Sequence, residues 1–196
     1  MGGIFCLMGK SASGKDSLYR RLLDDAGGEL HPVVPWTTRP IREGEREGVE
    51  YHFTDTEGLK RLEAEGRVLE KRVYHTVHGD WYYFTVDDGS IRPRERKYLM
   101  ISTPEAFIKL KEHFGESCVH PLYIDVEDGE RLERALKRER MQDVPKYKEL
   151  CRRFLADCED FSEEKLAEAG IGKHFDNRDL EQCFDELKKY IGAADG

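Results

Sequence analysis

The chain has no long apolar run. Its longest uninterrupted hydrophobic stretch is Ile4-Phe5-Cys6-Leu7-Met8, far below the roughly 20 residues that cross a bilayer and too short for a secretory signal core. The sequence therefore predicts no membrane segment and a cytoplasmic location. Cysteine is sparse as well: Cys6, Cys118, Cys151, Cys158 and Cys183 are odd in number and lack metal-ligand spacing, which fits reduced thiols and excludes a disulfide framework. Internal repeats and low-complexity linkers are missing, so the 196 residues read as one continuous domain at roughly 150 residues per domain. Positive charge is in deficit, with 32 Lys plus Arg against 40 Asp plus Glu and a formal net charge of −8. That balance argues against nonspecific binding to nucleic acid or anionic membranes, which takes clustered basic charge.

The deficit is uneven. Residues 131–153 hold nine basic and four acidic side chains, a local net of +5, whereas residues 154–196 hold five basic and twelve acidic. A basic island inside an acidic chain calls for a specific anionic ligand rather than a general one.

Hydrophobic patterning gives strands alternating with helices, the order of a helix-covered parallel α/β sheet. Residues 3–8 read as a buried strand closed by Gly9, and 15–25 as a helix with Leu18, Leu22 and Leu23 on one face. Strands are expected at 33–36, 98–101 and 119–126, and helices at 56–65, after 126 until the basic stretch from Lys137 to Lys148 interrupts it, at 147–161 and at 179–191. The helix after 101 is expected to start from Ser102, which stands in capping-box spacing to Glu105 with Pro104 in the first turn. Residues 68–74 and 81–86 are aromatic and β-branched, and predict an antiparallel ribbon turning at His78-Gly79-Asp80.

Between the first strand and the first helix lies Gly9-Lys10-Ser11-Ala12-Ser13-Gly14-Lys15, the G-x-x-x-x-G-K phosphate-loop spacing. Glycines let backbone N–H groups curl around a phosphate, the helix N-terminus adds positive potential, and Lys15 reaches the β and γ oxygens. Candidate ATP ligands are Gly9, Ser11, Ala12, Ser13, Gly14, Lys15, Asp16 and Ser17. Asp16 occupies the position where the pattern has a Ser or Thr for Mg²⁺; a carboxylate there can ligate Mg²⁺ directly and also suits a helix first turn.

The segment Thr37-Thr38-Arg39-Pro40-Ile41-Arg42-Glu43-Gly44-Glu45-Arg46-Glu47-Gly48-Val49-Glu50-Tyr51-His52-Phe53 resembles the acceptor signature of guanylate kinases, T-T-R-x-x-R-x-G-E-x-x-G-x-x-Y-x-F, at every defined position. The resemblance implies a P-loop NTPase-type parallel sheet covered by helices, with a small antiparallel acceptor-binding insertion and a helical lid. Residues 1–34, 87–136 and 160–196 would form the core, 35–86 the acceptor-binding region, and about 137–153 the lid. It implies that Arg39, Arg42 and Tyr51 hold an acceptor phosphate, a task suited to guanidinium forks and a phenol. Glu45 would orient the arginines or touch the base side of the site, Glu70 would read guanine N1–H and the exocyclic amine, the Thr85 hydroxyl would contact the base O6, and Tyr82 would sit beside the base. Arg134, Arg138 and Arg153 lie where the family keeps the arginines that approach the transferring phosphoryl group with Lys15. The implied reaction is transfer of the γ-phosphoryl of MgATP to GMP or dGMP by a monomer or homodimer that binds neither nucleic acid nor membrane.

The chain departs from the family in places. Pro35 stands where a serine hydroxyl is usual, Tyr-Tyr-Gly-Ser has become Tyr82-Tyr83-Phe84-Thr85, and an acidic D-x-D strand end appears as Ser102-Thr103-Pro104. Two alternatives stay open. Gly14-Lys15-Asp16-Ser17 is similar to ribose 1,5-bisphosphate phosphokinases, and a non-catalytic guanylate-kinase-like binding module would share the fold. His75 and His78 have no common face, Cys151 and Cys158 read as packing residues, and Trp36 and Trp81 as anchors of the acceptor region.

Overall fold

The structure is a computed structural model that describes residues 2–42, 44–76 and 79–194. Its centre is β1 (Gly3–Met8), buried at every position. Because side chains alternate across a strand, β1 feeds two cores. Ile4, Cys6 and Met8 point to one side with Phe107, Leu110 and Phe161. Phe5 and Leu7 point to the other with Leu18, Leu22, Phe184 and Leu187. Burial on both faces is what a strand without polar alternation requires.

Five parallel strands form the main sheet in the order β2-β7-β1-β8-β9. These are β2 (Leu30–Pro32), β7 (Lys97–Ile101), β8 (Val119–Asp125) and β9 (His174–Asp176) around β1. One face carries α1 (Lys15–Asp25) and α7 (Leu180–Ala193), and the other α3 (Pro104–Phe114) and α6 (Glu163–Glu168). Cys6 and Cys183 are both fully buried and desolvated, which pushes the Cys6 thiol far up and the Cys183 thiol up to about 12; both are packing groups.

A second sheet, ordered β4-β3-β6-β5, is built from β3 (Trp36–Thr37), β4 (His52–Phe53), β5 (Val68–Thr76) and β6 (Gly79–Val86). Its β3/β6 and β5/β6 pairs are antiparallel, and the two-residue β3/β4 pair is parallel. The ribbon turn expected at His78-Gly79-Asp80 includes His78, outside the described residues; Gly79 and Asp80 open β6. One face of this sheet packs on α2 (Thr56–Ala64) through Leu59, Leu62, Phe84 and Val86. The Asp55 carboxylate starts α2 by accepting from Gly58 N at 2.7 Å.

Three sequence expectations are corrected. The strand expected at 33–36 is the crossover between sheets. Val33 N donates the last bond to Leu99 O at 3.0 Å, and Trp36 begins the second sheet. Pro32 and Pro35 have no N–H with which to continue a ladder. Ser102 does not cap α3, because its N–H still donates to Leu7 O at 3.0 Å as a strand residue. The cap is Thr103, whose hydroxyl accepts from Ala106 N at 3.4 Å. The helix after residue 126 is not broken at 137: α4 (Asp128–Arg140) keeps its last turn, and a six-residue connection leads to α5 (Tyr147–Asp160).

The turn from β1 into α1 has an unusual backbone. Ala12 has φ 63°, the left-handed region, and is the one described non-glycine residue with positive φ. That conformation costs an L-residue roughly 1–2 kcal/mol, against about 0.5–1 kcal/mol of extra chain entropy for glycine. Ala12→Gly is therefore expected to stabilise the fold by about 0.5–1 kcal/mol. A higher denaturation midpoint at unchanged m-value would show it, and an unchanged or lower midpoint would mean that the strain is relieved elsewhere.

Candidate active site

The 9–15 loop wraps the C-terminal end of β1. Gly9 is required by close approach, since a Cβ there would meet Ile124 O at 2.7 Å and Ser13 Oγ at 2.8 Å. Gly14, at φ 86°, is the N-cap of α1 and offers no side-chain cap. The first N–H groups of α1 thus stand at a helix N-terminus with no side chain of their own to satisfy them. Asn177, just after β9, packs against Gly14 and donates to Ser13 O at 2.7 Å. Buried Ser13 Oγ and Asn177 Oδ1 have no hydrogen-bond partner among the described residues. Lys15 is half-buried, whereas Asp16 and Ser17 are exposed.

A charged network braces this loop from α4 and α5. Arg131, 1% exposed, donates from Nη1 to Ser11 O at 2.9 Å and from Nη2 to Asp128 Oδ1 at 2.7 Å, and lies over the Phe154 ring. Lys10 Nζ reaches the same Asp128 oxygen at 3.1 Å. Partial burial pushes the Asp128 carboxyl up, but hydrogen bonds from Arg131 and Lys10 more than offset this and hold it below its usual range. On the other side, Ser11 N donates to Asp157 Oδ2 at 2.7 Å, with Arg131 Nη1 3.8 Å from that oxygen. The sequence reading missed Arg131, Asp128, Asp157 and Asn177. The i, i+3 spacing of Asp128 and Arg131 was the only local signal for any of them.

The second set of residues lies on the other sheet. Arg39 is 2% exposed and nearly saturated. Nη2 and Nη1 bind the two Glu45 oxygens at 2.8 and 3.0 Å, Nη1 also donates to Pro40 O at 2.7 Å, and Nε donates to Tyr83 Oη at 3.2 Å. Those arginine bonds, aided by Arg42 N at 2.8 Å, hold the Glu45 carboxyl below the ordinary range. Tyr51 borders Arg39 and Tyr83, and burial raises its phenol. Arg42 is exposed. Glu70 is buried and accepts from Thr85 Oγ1 at 2.7 Å and from Arg72 Nε at 3.3 Å.

Tyr82, expected beside the base, is turned the other way. It packs with Phe84 on the α2 face and lies under Lys71. Strand alternation makes Tyr83 its counterpart on the Arg39 face.

Asp16, Tyr51, Tyr83, Lys146 and Arg152 line one cleft of about 1720 Å³ between α1, the second sheet and α5. The predicted arginines of the basic island do not converge on a single point. Arg134 Nη2 donates to Asn177 O at 3.0 Å and pairs with Glu130 at 2.5 Å. Arg138 is exposed, and Arg153 lies 3.9 Å from Glu149 with its Nε buried and unbonded. For Mg²⁺, no cluster of three or more His, Cys, Asp or Glu side chains occurs among the described residues. The exposed carboxylate of Asp16 at the start of α1 does fit that ion, which is held by one or two carboxylates together with phosphate oxygens and water.

Comparison with known proteins agrees with this geometry. The guanylate kinase family model matches residues 3–94. A guanylate kinase of Sulfurimonas denitrificans is 42% identical over 81 residues, an alignment spanning 41% of this chain and 37% of that protein. The crystal structure of guanylate kinase from Anaplasma phagocytophilum has the same fold, with a TM-score of 0.62 at 22% identity over 98% of this chain and 86% of that one. A guanylate kinase of Oleidesulfovibrio alaskensis is 32% identical over 98% of this chain and 88% of its own length. Similar to that relative from end to end, with the acceptor signature and the strand-loop-helix junction in the same chain, this protein belongs to the guanylate kinase family.

Proposed function

We propose that the chain is an ATP-dependent phosphotransferase that moves the γ-phosphoryl group of ATP to GMP or dGMP, giving ADP and the nucleoside diphosphate. One observation carries the reading. The cleft that begins at Asp16, on the first turn of α1, also reaches Tyr51 and Tyr83 beside buried Arg39, so a phosphate on the loop and a phosphate on the acceptor sheet would face each other.

In this reading the N–H groups of 12–15 and Lys15 hold the β and γ phosphates, with Gly9, Ser11, Ser13 and Ser17 shaping the loop. An acceptor phosphate oxygen attacks the γ phosphorus, and the bond to the bridging oxygen of ADP breaks. Arg42, Tyr51 and the one N–H of Arg39 without a partner among the described residues orient the acceptor, while Glu45 fixes Arg39. Glu70 and Thr85 face the base. Arg134, Arg138 and Arg153, on or beside the segment 137–153, serve as the cations that offset charge in transfer, with Arg131 as the fixed brace of the loop. Asp16 would hold Mg²⁺, which supplies charge neutralisation on the phosphates. Residues 1–34, 87–136 and 160–196 act as core, 35–86 as acceptor region and 137–153 as lid. The protein acts in the cytoplasm as a monomer or homodimer, without nucleic acid or membrane. No observation favours the sugar-bisphosphate kinase or the non-catalytic module.

Two experiments test the reading. Coupled ADP-release assays over GMP, dGMP, AMP, CMP and UMP are expected to show turnover with the guanine nucleotides, and no turnover with any of the five would sink it. Asp157 bears on the donor side, because a triphosphate arriving at the loop meets a carboxylate already on Ser11 N–H. Asp157→Asn is expected to lower KM for ATP roughly three- to tenfold, about 0.7–1.4 kcal/mol, with KM for GMP unchanged. An unaltered KM for ATP would mean that the carboxylate does not compete.

A further inference from the structure

One face of β5 and β6 carries Glu70, Arg72 and Tyr74 from one strand and Trp81, Tyr83 and Thr85 from the other, in cross-strand register 70–85, 72–83 and 74–81; Arg72, Tyr74, Trp81 and Tyr83 line the cleft, and Arg72 also borders an adjoining pocket of about 320 Å³ with Glu70. Thr85 is 1% exposed, and its hydroxyl donates to Glu70 Oε1 at 2.7 Å. A carboxylate only accepts, so that hydroxyl hydrogen is already used. Glu70 and Thr85 together therefore offer acceptors but no donor. Guanine's edge carries two donors, N1–H and the exocyclic amine, next to the acceptor O6, with a second acceptor, N7, beyond it. A pocket of acceptors alone would satisfy the first pair and leave O6 facing like polarity.

Arg72 supplies what is missing. Two residues along the same strand and thus on the same face, it binds Glu70 Oε2 through Nε at 3.3 Å, and its side chain is 26% exposed where it lines the cleft. Of five guanidinium hydrogens, only the one on Nε has a partner among the described residues; the Nη hydrogens remain. Glu70, 4% exposed, holds the base of the fork in place. Tyr83 stands directly across from Arg72 and is itself fixed by Arg39. We propose that Arg72 is a specificity-determining residue of the acceptor site, donating from its Nη fork to O6 and N7 of the purine while Glu70 accepts from N1–H and the exocyclic amine. An arginine fork matches that O6/N7 pair in geometry, whereas adenine presents an amine donor at the same place and is rejected. The proposal rests on the GMP kinase reading above and adds to it the group that tells guanine from adenine.

The test compares GMP, IMP and 7-deaza-GMP on the wild type and on Arg72→Ala and Arg72→Gln. IMP keeps O6 and N7 but lacks the exocyclic amine, and 7-deaza-GMP lacks only the N7 acceptor. Both variants are expected to raise KM for GMP and for IMP by the same factor, about ten- to a hundredfold, with kcat within threefold. The wild type is expected to bind 7-deaza-GMP several-fold more weakly than GMP, and the variants to bind the two alike. An unchanged KM for GMP in both variants, or equal affinity of the wild type for GMP and 7-deaza-GMP, overturns the assignment. The 7-deaza comparison on the wild type needs no variant to fold. A wild type that turns over GMP while failing these comparisons refutes Arg72 alone; one that turns over no nucleotide refutes the kinase reading itself.

Discussion

Everything at the donor end depends on an uncapped helix. Gly14 starts α1 without a side-chain cap, and the cost of those orphan N–H groups is accepted because β1, buried at all six positions, fixes where the loop emerges. Parallel pairing with β7 and β8 leaves β1 no freedom of register, and the loop inherits that rigidity. The left-handed Ala12 and the close approach of Gly9 to Ile124 O follow: a short chain path must aim its amides at one point. Strain held at a rigid junction is a usual mark of a site that presents backbone to a ligand.

The two most buried arginines show a second constraint. Arg39 and Arg131 are 2% and 1% exposed, and each is matched to acidic partners, Glu45 for one and Asp128 with Asp157 for the other. An unpaired charge at that depth would be expensive, so these carboxylates are a condition for having the arginines at all. In both places the pair also joins distant elements. Arg131 ties α4 to the loop 120 residues away, and Arg39 ties the 39–45 turn to β6. Arg42 and Arg138, by contrast, are exposed.

This division explains what the sequence made legible. Strand-helix alternation, the G-x-x-x-x-G-K loop and the Arg39-to-Phe53 signature are local patterns, and local spacing encodes them. The parallel sheet and the antiparallel ribbon of 68–74 with 81–86 were therefore readable. Long-range partners were not. Asn177 meets Ser13 across 164 residues and Asp157 meets Ser11 across 146, and no spacing rule reaches that far. Tyr82 and Tyr83 failed for another reason. Adjacent aromatics on a strand face opposite ways, and only the register with Val73 and Arg72 decides which one sees the cleft. The three-residue β9 and the six-residue α6 are too short for periodicity to declare them, and tertiary packing of Phe175 and Leu166 holds them instead.

The acidic surroundings of the loop acquire a meaning from the same geometry. Asp16, Asp128 and Asp157 all stand at or near a site proposed for polyphosphate, a placement that Coulomb repulsion should disfavour. Two of them, however, have partners: Asp128 is neutralised by Lys10 and Arg131, and Asp157 is bound to Ser11 N and faces Arg131, whereas Asp16 is exposed toward the cleft. Of these three, Asp157 is the one that accepts from a loop N–H among the described residues. In the proposed complex, a phosphate on Ser11 N would exchange one anion for another on a fixed donor. The donor is satisfied before and after, so the net free energy of the exchange is smaller than that of filling an empty amide. In the proposed complex the loop would favour turnover over tight retention, because the displaced Asp157 carboxylate would stay tethered nearby and could return when the product leaves.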